Sequence, residues 1–309
     1  MSRIDLTNWI IHFVHDRIPE NEPKEIFYDI EENHSVEIPT NFSYEGEPIY
    51  QTDEYAEEDY PIEDDAGVYT VLKKILHDGI IKTGWSFRKG NATIYGPKSA
   101  VCFTEMPLYA LIEYSKTRSY SGYIAPYGIA FLKEELFTAG ARPVIYGLSG
   151  NHIEANETDS YFGIGFRTLS QSCGIGLKEM YRYVYTNIKS AKKVDWTHER
   201  EWRWADLEDE FYFAGLPFYA ENDKISFSKV IVFVRSNSEV IDLMEHLQHL
   251  HHSESTNTGC EYRLKTIENT YVLAIDDLQK IDENVAEYDG HCSGGLQSNE
   301  TSDDCNCRL

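Results

Sequence analysis

Residues 194–204, VDWTHEREWRW, hold three of the chain's five tryptophans together with Glu199, Arg200, Glu201 and Arg203. Drawn out as a strand, the segment sends Glu199, Glu201 and Arg203 to one face and Arg200, Trp202 and Trp204 to the other. A strand with indoles along one face has to pack that face against a core. The other face then presents two carboxylates and a guanidinium. It meets either solvent, as the outer face of a half-buried sheet does, or a cleft in which the arginine keeps a carboxylate ionised.

The rest of the chain supplies partners for such a strand. In DDAGVYTVLKKILHDGII, Val68, Val71, Leu72, Ile75 and Leu76 recur at helical spacing and Gly79 marks the helix end. SAVCFTEMP alternates as a buried strand, with Val101 and Phe103 inward or else Cys102 and Thr104, and Pro107 stops it before a helix in LYALIEYSK. YGIAFLKEELFTAGARPVIYG reads as strand, short helix, strand. Residues 161–186 read as helical, interrupted by glycines. KVIVFVRS is a strand, and NSEVIDLMEHLQHL is a helix opened by an Asn/Ser cap. YVLAIDDLQ closes the ordered part. At the N-terminus, Ile4, Leu6, Trp9, Ile10, Phe13 and Val14 predict an amphipathic helix that Pro19 stops. Strands separated by single helices, without a regular βαβ rhythm, predict an α+β fold: mixed or antiparallel central sheets with flanking helices. One domain is expected over 1–282, followed by a disordered tail over 283–309.

Charge and motifs narrow the function. The formal net charge is −24, which argues against broad binding of a phosphate backbone but leaves room for a local basic cleft. Residues 43–65 hold ten acidic residues and no Lys or Arg. They form an acidic insert, either a solvated loop or a polyanion mimic lying over a basic cleft or a partner. No apolar run is long enough for a membrane helix, and the N-terminus lacks the pattern of a secretory signal. A reducing cytoplasm is therefore expected, with the cysteines unpaired. Cys305 and Cys307 lack the paired spacing of a structural zinc site, so no metal is expected. There is no G-x-G-x-x-G opening a βα unit, no P-loop, no G-x-S-x-G elbow and no H-E-x-x-H.

Four segments occur in a telling order: LKKILHDGIIKTGWSFR (72–88), AVCFTEMPL (100–108), YGIAFLKEELFTAGARPVIYG (127–147) and WTHEREWRW (196–204). Together they resemble abortive-phage-infection proteins of the AbiGi type, and the order is similar to a divergent ADP-ribosyltransferase fold of the DarT-like kind. The resemblance covers 66–204. It implies an anti-phage enzyme that cleaves the bond between nicotinamide and ribose in NAD and passes ADP-ribose to nucleic acid or protein. On that reading Glu201 stabilises an oxocarbenium-like cation. Glu105 is a second site carboxylate, or else holds Arg88 or Arg142 by a charge-assisted bond. Arg88 and Arg142 take the pyrophosphate, Trp85 or Tyr146 stacks on a base, and Arg203 shares Glu201's face in the substrate-binding set. A DNA N-glycosylase that removes phage bases uses the same cation chemistry. A non-catalytic acidic partner, working through 43–65, is the reading from outside enzymology.

Overall fold

The computed structural model describes residues 7–15, 26–29, 34–37, 62–63, 66–84, 86–88, 91–96, 98–107, 110, 127–155, 167–189, 193–207, 215–219, 223–257 and 261–276; at 26–29, 34–37, 87–88, 91–92 and 262 it describes the backbone alone. All but two residues of the acidic run 43–65, all but Ala110 of the helix expected from Leu108, Trp85 and the tail 283–309 lie outside the described residues.

The described strands are β1 (Trp9–Phe13), β2 (Ile26–Asp29), β3 (His34–Glu37), β4 (Ile80–Lys82), β5 (Phe87–Arg88), β6 (Asn91–Ala92), β7 (Val101–Thr104), β8 (Gly128–Leu132), β9 (Arg142–Pro143), β10 (Ile145–Tyr146), β11 (Tyr183–Val184), β12 (Glu201–Trp204), β13 (Gly215–Pro217), β14 (Val230–Val234) and β15 (Thr270–Ala274). The helices are α1 (Val68–Asp78), α2 (Lys133–Thr138), α3 (Asn237–Asn257) and α4 (Glu261–Glu268). Seven strands form one sheet in the order β15-β14-β8-β1-β7-β12-β9. Every neighbouring pair is antiparallel except β14 and β15, which run parallel across the α3–α4 connection. The fold is α+β, as the irregular alternation of periods predicts.

One sheet face packs against helices. Ile10, Val101, Phe103, Ile129, Phe131, Trp202, Trp204, Val230 and Val232 join Val71, Leu72, Ile75 and Leu76 of α1, Leu136 of α2 and Leu243 and Leu247 of α3 in the main core. The other face is covered as well. Ile11, Ala130 and Phe233 meet Met106 and Ile275 at one end, and Ala100 meets Ile94, Tyr181 and Ala205 at the other. Strands buried on both faces read as continuous apolar runs rather than alternating ones.

That double burial explains the main correction to the sequence reading. Residues 9–13 form a strand, not a helix: β1 pairs with β8 over five positions, Trp9↔Leu132 to Phe13↔Gly128. Ile10 and Ile11 are both buried, on opposite faces, so the apolar spacing fits a central strand as well as a helix. The expected helix over 161–186 also fails where it is described. Gln171–Cys173 and Leu177–Arg182 are short 3-10 turns; Gly174, at φ 75°, ends the first, and β11 follows the second.

Helix α1 matches its pattern, with Val71, Leu72, Ile75 and Leu76 buried. Gly79 closes it at φ 71°, its N–H donating to the Ile75 carbonyl at 2.9 Å. A Cβ at this position would lie 2.2 Å from Cδ2 of Tyr219, and the Tyr219 hydroxyl donates to the Leu76 carbonyl at 2.8 Å. Gly79→Ala therefore combines left-handed strain with a clash against a buried ring. It is expected to cost about 1–3 kcal/mol in stability, read as a lower midpoint in urea with an unchanged slope. At the start of helix α3 the Glu239 carboxylate, three residues on from Ser236, accepts the Arg235 and Ser236 N–H groups at 2.9 and 3.0 Å.

Candidate functional site

Strand β1 shares one paired position with β7, Ile11↔Thr104. Beyond it, residues 12–15 of the first segment and 100–103 of the second both line a cleft of about 470 Å³. The sheet is split there, and the His12 imidazole takes part of the missing ladder's place: its Nδ1 lies 2.9 Å from the Cys102 carbonyl. A carbonyl only accepts, so Nδ1 carries the hydrogen and Nε2 of the neutral ring is an acceptor. Burial lowers the His12 pKa to about 4, against the hydrogen bond donated to the Cys102 carbonyl, which raises it. His12, which lines the cleft, is therefore neutral at pH 7.

Strand β12 forms the floor. Its alternation is as expected from Glu201 onward, with Glu201 and Arg203 on the cleft side and Trp202 and Trp204 in the core. It does not extend further back. Thr197–Glu199 is a 3-10 turn, and Arg200 adopts φ 46°. Arg200 is exposed rather than packed with the tryptophans. Glu199 reaches the cleft all the same, and its carbonyl accepts the Thr104 hydroxyl.

The Glu201 carboxylate is held in place. Its Oε1 accepts Nε–H of Arg203 at 2.6 Å, and the side chains are 12% and 4% exposed. The Arg203 guanidinium also donates to the carbonyls of Tyr181 and Tyr183. Burial works against the Arg203 charge, but Glu201 beside it raises its pKa above the ordinary arginine value. Arg203 is thus committed to Glu201 and the backbone. The Glu201 N–H donates to the Tyr146 hydroxyl at 2.6 Å. Burial foremost, and the nearby Glu201 charge, push that hydroxyl up to about 12.

Glu105, Arg142 and Tyr146 lie outside the cleft lining. Glu105 is not among the cleft-lining residues. It pairs with Lys133, accepts Nε1–H of Trp202 at 2.8 Å, and donates its own N–H to the Arg200 carbonyl at 3.1 Å. Arg142 also stands outside the lining: its guanidinium donates to the carbonyls of Phe137 and Ala141 at 2.6 and 2.7 Å and lies 3.8 Å over the Phe137 ring. Tyr146 touches the backbone of Glu201 from behind. Arg88 sits in the two-residue strand β5, where only the backbone is described. Of the candidates whose side chains are described, Glu201 and Arg203 share the cleft.

The opposite wall was not foreseen. Tyr95, Arg167, Tyr185 and Trp196 line it. Arg167 lies 4.5 Å over the Tyr95 ring and donates Nε–H to Glu154 at 3.1 Å, and the Tyr95 hydroxyl donates to the same carboxylate at 3.2 Å. Burial raises the Glu154 carboxyl, but Arg167 overrides it and the net shift is downward. The wall combines the aromatic side chains Tyr185 and Trp196 with the Arg167 cation, which covers the buried Tyr95 ring, and the remaining lining includes the carboxylates of Glu199 and Glu201 and the His12 imidazole. Such a lining suits a polar ligand with an aromatic ring. Among the described residues no group of three or more His, Cys, Asp or Glu is placed to hold a metal ion, and no helix is long and apolar enough to cross a membrane.

Cys102 also faces Glu201. Burial first, and the neighbouring carboxylate second, push its thiol up to about 12. The thiolate, which is the reactive form, is then a minor species at pH 8. Alkylation of the folded chain at pH 8, mapped by mass spectrometry, is expected to leave Cys102 unmodified and to reach it after denaturation. Rapid labelling in the folded state would contradict this environment.

No family model, curated protein or solved structure matches the chain.

Proposed function

We propose that the chain is an enzyme that breaks an N-glycosidic bond, with NAD as substrate and nucleic acid or protein as acceptor of ADP-ribose, in the service of defence against phage. One observation carries the reading: the Glu201 carboxylate, paired with Arg203 on a residue whose backbone N–H is held by the Tyr146 hydroxyl, lines a cleft that also holds aromatic and cationic side chains. When the C–N bond breaks, the electron pair leaves with nicotinamide and the ribose carbon becomes cationic. A charge already in position stabilises that cation without reorganising, which is where electrostatic catalysis is strongest. The lone pair of His12 accepts from a ribose hydroxyl. Trp196 and Tyr185 lie in the lining for a ring, and Arg167 and Lys82 for phosphate oxygens.

A DNA N-glycosylase needs the same cation stabilised, and Glu199 supplies a second carboxylate in the cleft to orient water. Product analysis separates the two readings. Incubation of the purified chain with NAD and with phage DNA is expected to release free nicotinamide. Free base with abasic sites and no nicotinamide would favour the glycosylase. If neither appears, the acidic partner is the reading left.

A further inference from the structure

We propose that the chain pairs with a second copy of itself through strand β15, edge to edge and antiparallel about Val272, so that the seven-stranded sheet continues across a two-fold axis. The two ends of that sheet differ. At one end β9 is two residues long, Arg142–Pro143. Pro143 has no N–H to donate, and its carbonyl accepts Nε–H and Nη2–H of Arg182 at 3.1 and 3.0 Å. At the other end β15 runs for five residues, TYVLA, in unbroken register with β14. Residues 269–275 carry no charge and no proline. Exposed edges are ordinarily blunted by shortness, proline, charge or a bulge, and β15 has none of these guards. Among the described residues no strand lies beyond it.

Apolar side chains stand on both sides of this edge. Tyr271 and Leu273 are 49% and 38% exposed. They extend the rows of Ile231 and Phe233 on the sheet face away from α3. The Lys229 ammonium lies 5.1 Å from the Tyr271 ring. On the other face, Leu243 of α3 points into the core. Asp242 and Met244 lie about 100° to either side of it. Asp242 binds Tyr69 and Lys73 of α1, so α1 runs along that flank. Met244 and Ile241, 38% and 63% exposed, stand on the flank turned away from α1 and past β15. Of the nine large apolar side chains exposed among the described residues, four therefore gather at this one edge.

The edge is its own complement. The Val230 N–H donates to the Asn269 carbonyl at 3.2 Å, and backbone groups alternate in direction along a strand. Those of Asn269, Tyr271 and Leu273 thus serve β14, and those of Thr270, Val272 and Ala274 point outward. A two-fold axis at Val272 sets Val272 against Val272 and Thr270 against Ala274, each pair exchanging two hydrogen bonds. It also brings Tyr271 of each copy beside Leu273 of the other, an aromatic–aliphatic pair. An isologous contact needs this self-complementarity. Each copy carries a net charge of −24, and Glu268 and Asp276 flank the neutral strand. Salt screens that repulsion and so favours the pairing, whereas a basic partner would be released by salt.

Sedimentation velocity of the full chain, from about 1 to about 100 μM and at about 50 and about 500 mM salt, tests the contact. The expected result is a reversible monomer–dimer equilibrium that tightens about threefold or more at the higher salt. Leu273→Lys combined with Ile241→Lys is expected to weaken it about tenfold or more. Both side chains are exposed, so the circular dichroism stays that of the parent. Mild oxidation of mixed Tyr271→Cys and Leu273→Cys copies is expected to join position 271 to position 273, read as a linked peptide by mass spectrometry. Cα atoms in such a pair lie about 4.5 Å apart, within disulfide reach, and either variant alone is expected to give no link there. A parent that stays monomeric at the highest concentration in either salt would overturn the proposal. So would a dimer indifferent to the lysine pair, or one that salt dissolves. For a monomer, amide exchange at Thr270, Val272 and Ala274 would name the occupant: slow exchange assigns the edge to another segment of the same chain, fast exchange to a different protein.

Discussion

Trp202→Ala is expected to destabilise the chain by about 3–5 kcal/mol, the range for truncating a buried aromatic side chain. Trp202 is 6% exposed and belongs to the main core, with Phe137 edge-on at 6.4 Å and the Lys133 ammonium 5.4 Å from its ring. Its Nε1–H donates to Glu105 at 2.8 Å. The truncation therefore opens a cavity and strips one donor from a carboxylate that is 14% exposed. Trp202→Phe separates the two effects: it retains most of the apolar contact and loses the hydrogen bond, so the smaller part of the loss is expected there, about 1–3 kcal/mol. Chemical denaturation of both variants measures the difference. A melting temperature unchanged in Trp202→Ala, with activity gone, would place the indole at the reacting centre instead of behind it.

Glu201→Gln is expected to abolish phage protection, or toxicity on expression, while the chain still folds. The amide keeps the shape and leaves an oxygen to accept from Arg203, but it removes the charge that faces the cleft. Loss of one such preorganised group costs about 10²–10³-fold in rate. Some stability goes with it, because Arg203 is 4% exposed and a buried guanidinium without its counter-charge is costly. The carbonyls of Tyr181 and Tyr183 remain to hold it. Circular dichroism and a melting curve on the purified variant distinguish a chemical defect from unfolding.

The contrast between these two neighbours shows what the sequence made legible. Period-two alternation in EWRW is enough to put Trp202 in the core and Glu201 on the other face, and the structure keeps that division. The pattern could not show that the 3-10 turn and the left-handed Arg200 stop the strand at Glu201. The same alternation, carried through β7, accounts for Glu105. With Phe103 in the core, Glu105 two residues on falls toward Trp202, while Cys102 and Thr104 face the cleft. Reading Glu105 as a site residue rested on its place before a proline turn, which says where a strand ends but not which face its last residue takes. Helix α1 was readable to its final glycine because amphipathic period and cap chemistry are both local.

The far wall was not readable for the opposite reason. His12, Tyr95, Arg167 and Glu201 are separated by tens of residues and come together through long-range pairings, Ile11 with Thr104 and Tyr95 with Arg167. His12 was hidden further, since a central strand buried on both faces imitates a helix in its apolar spacing. Its tautomer, and hence its role as an acceptor, is set by a carbonyl 90 residues away.

The central claim is that the fixed charge of Glu201 acts on a ribosyl cation. Steady-state release of nicotinamide from NAD by the parent chain and by Glu201→Gln, with kcat and KM resolved, tests it most directly. A group that works only in the transition state lowers kcat and kcat/KM together. The expected result is a kcat reduced by about 10²–10³-fold with KM little changed. A variant that keeps its kcat and raises only KM, or a parent chain that releases no nicotinamide under any condition, would contradict the account.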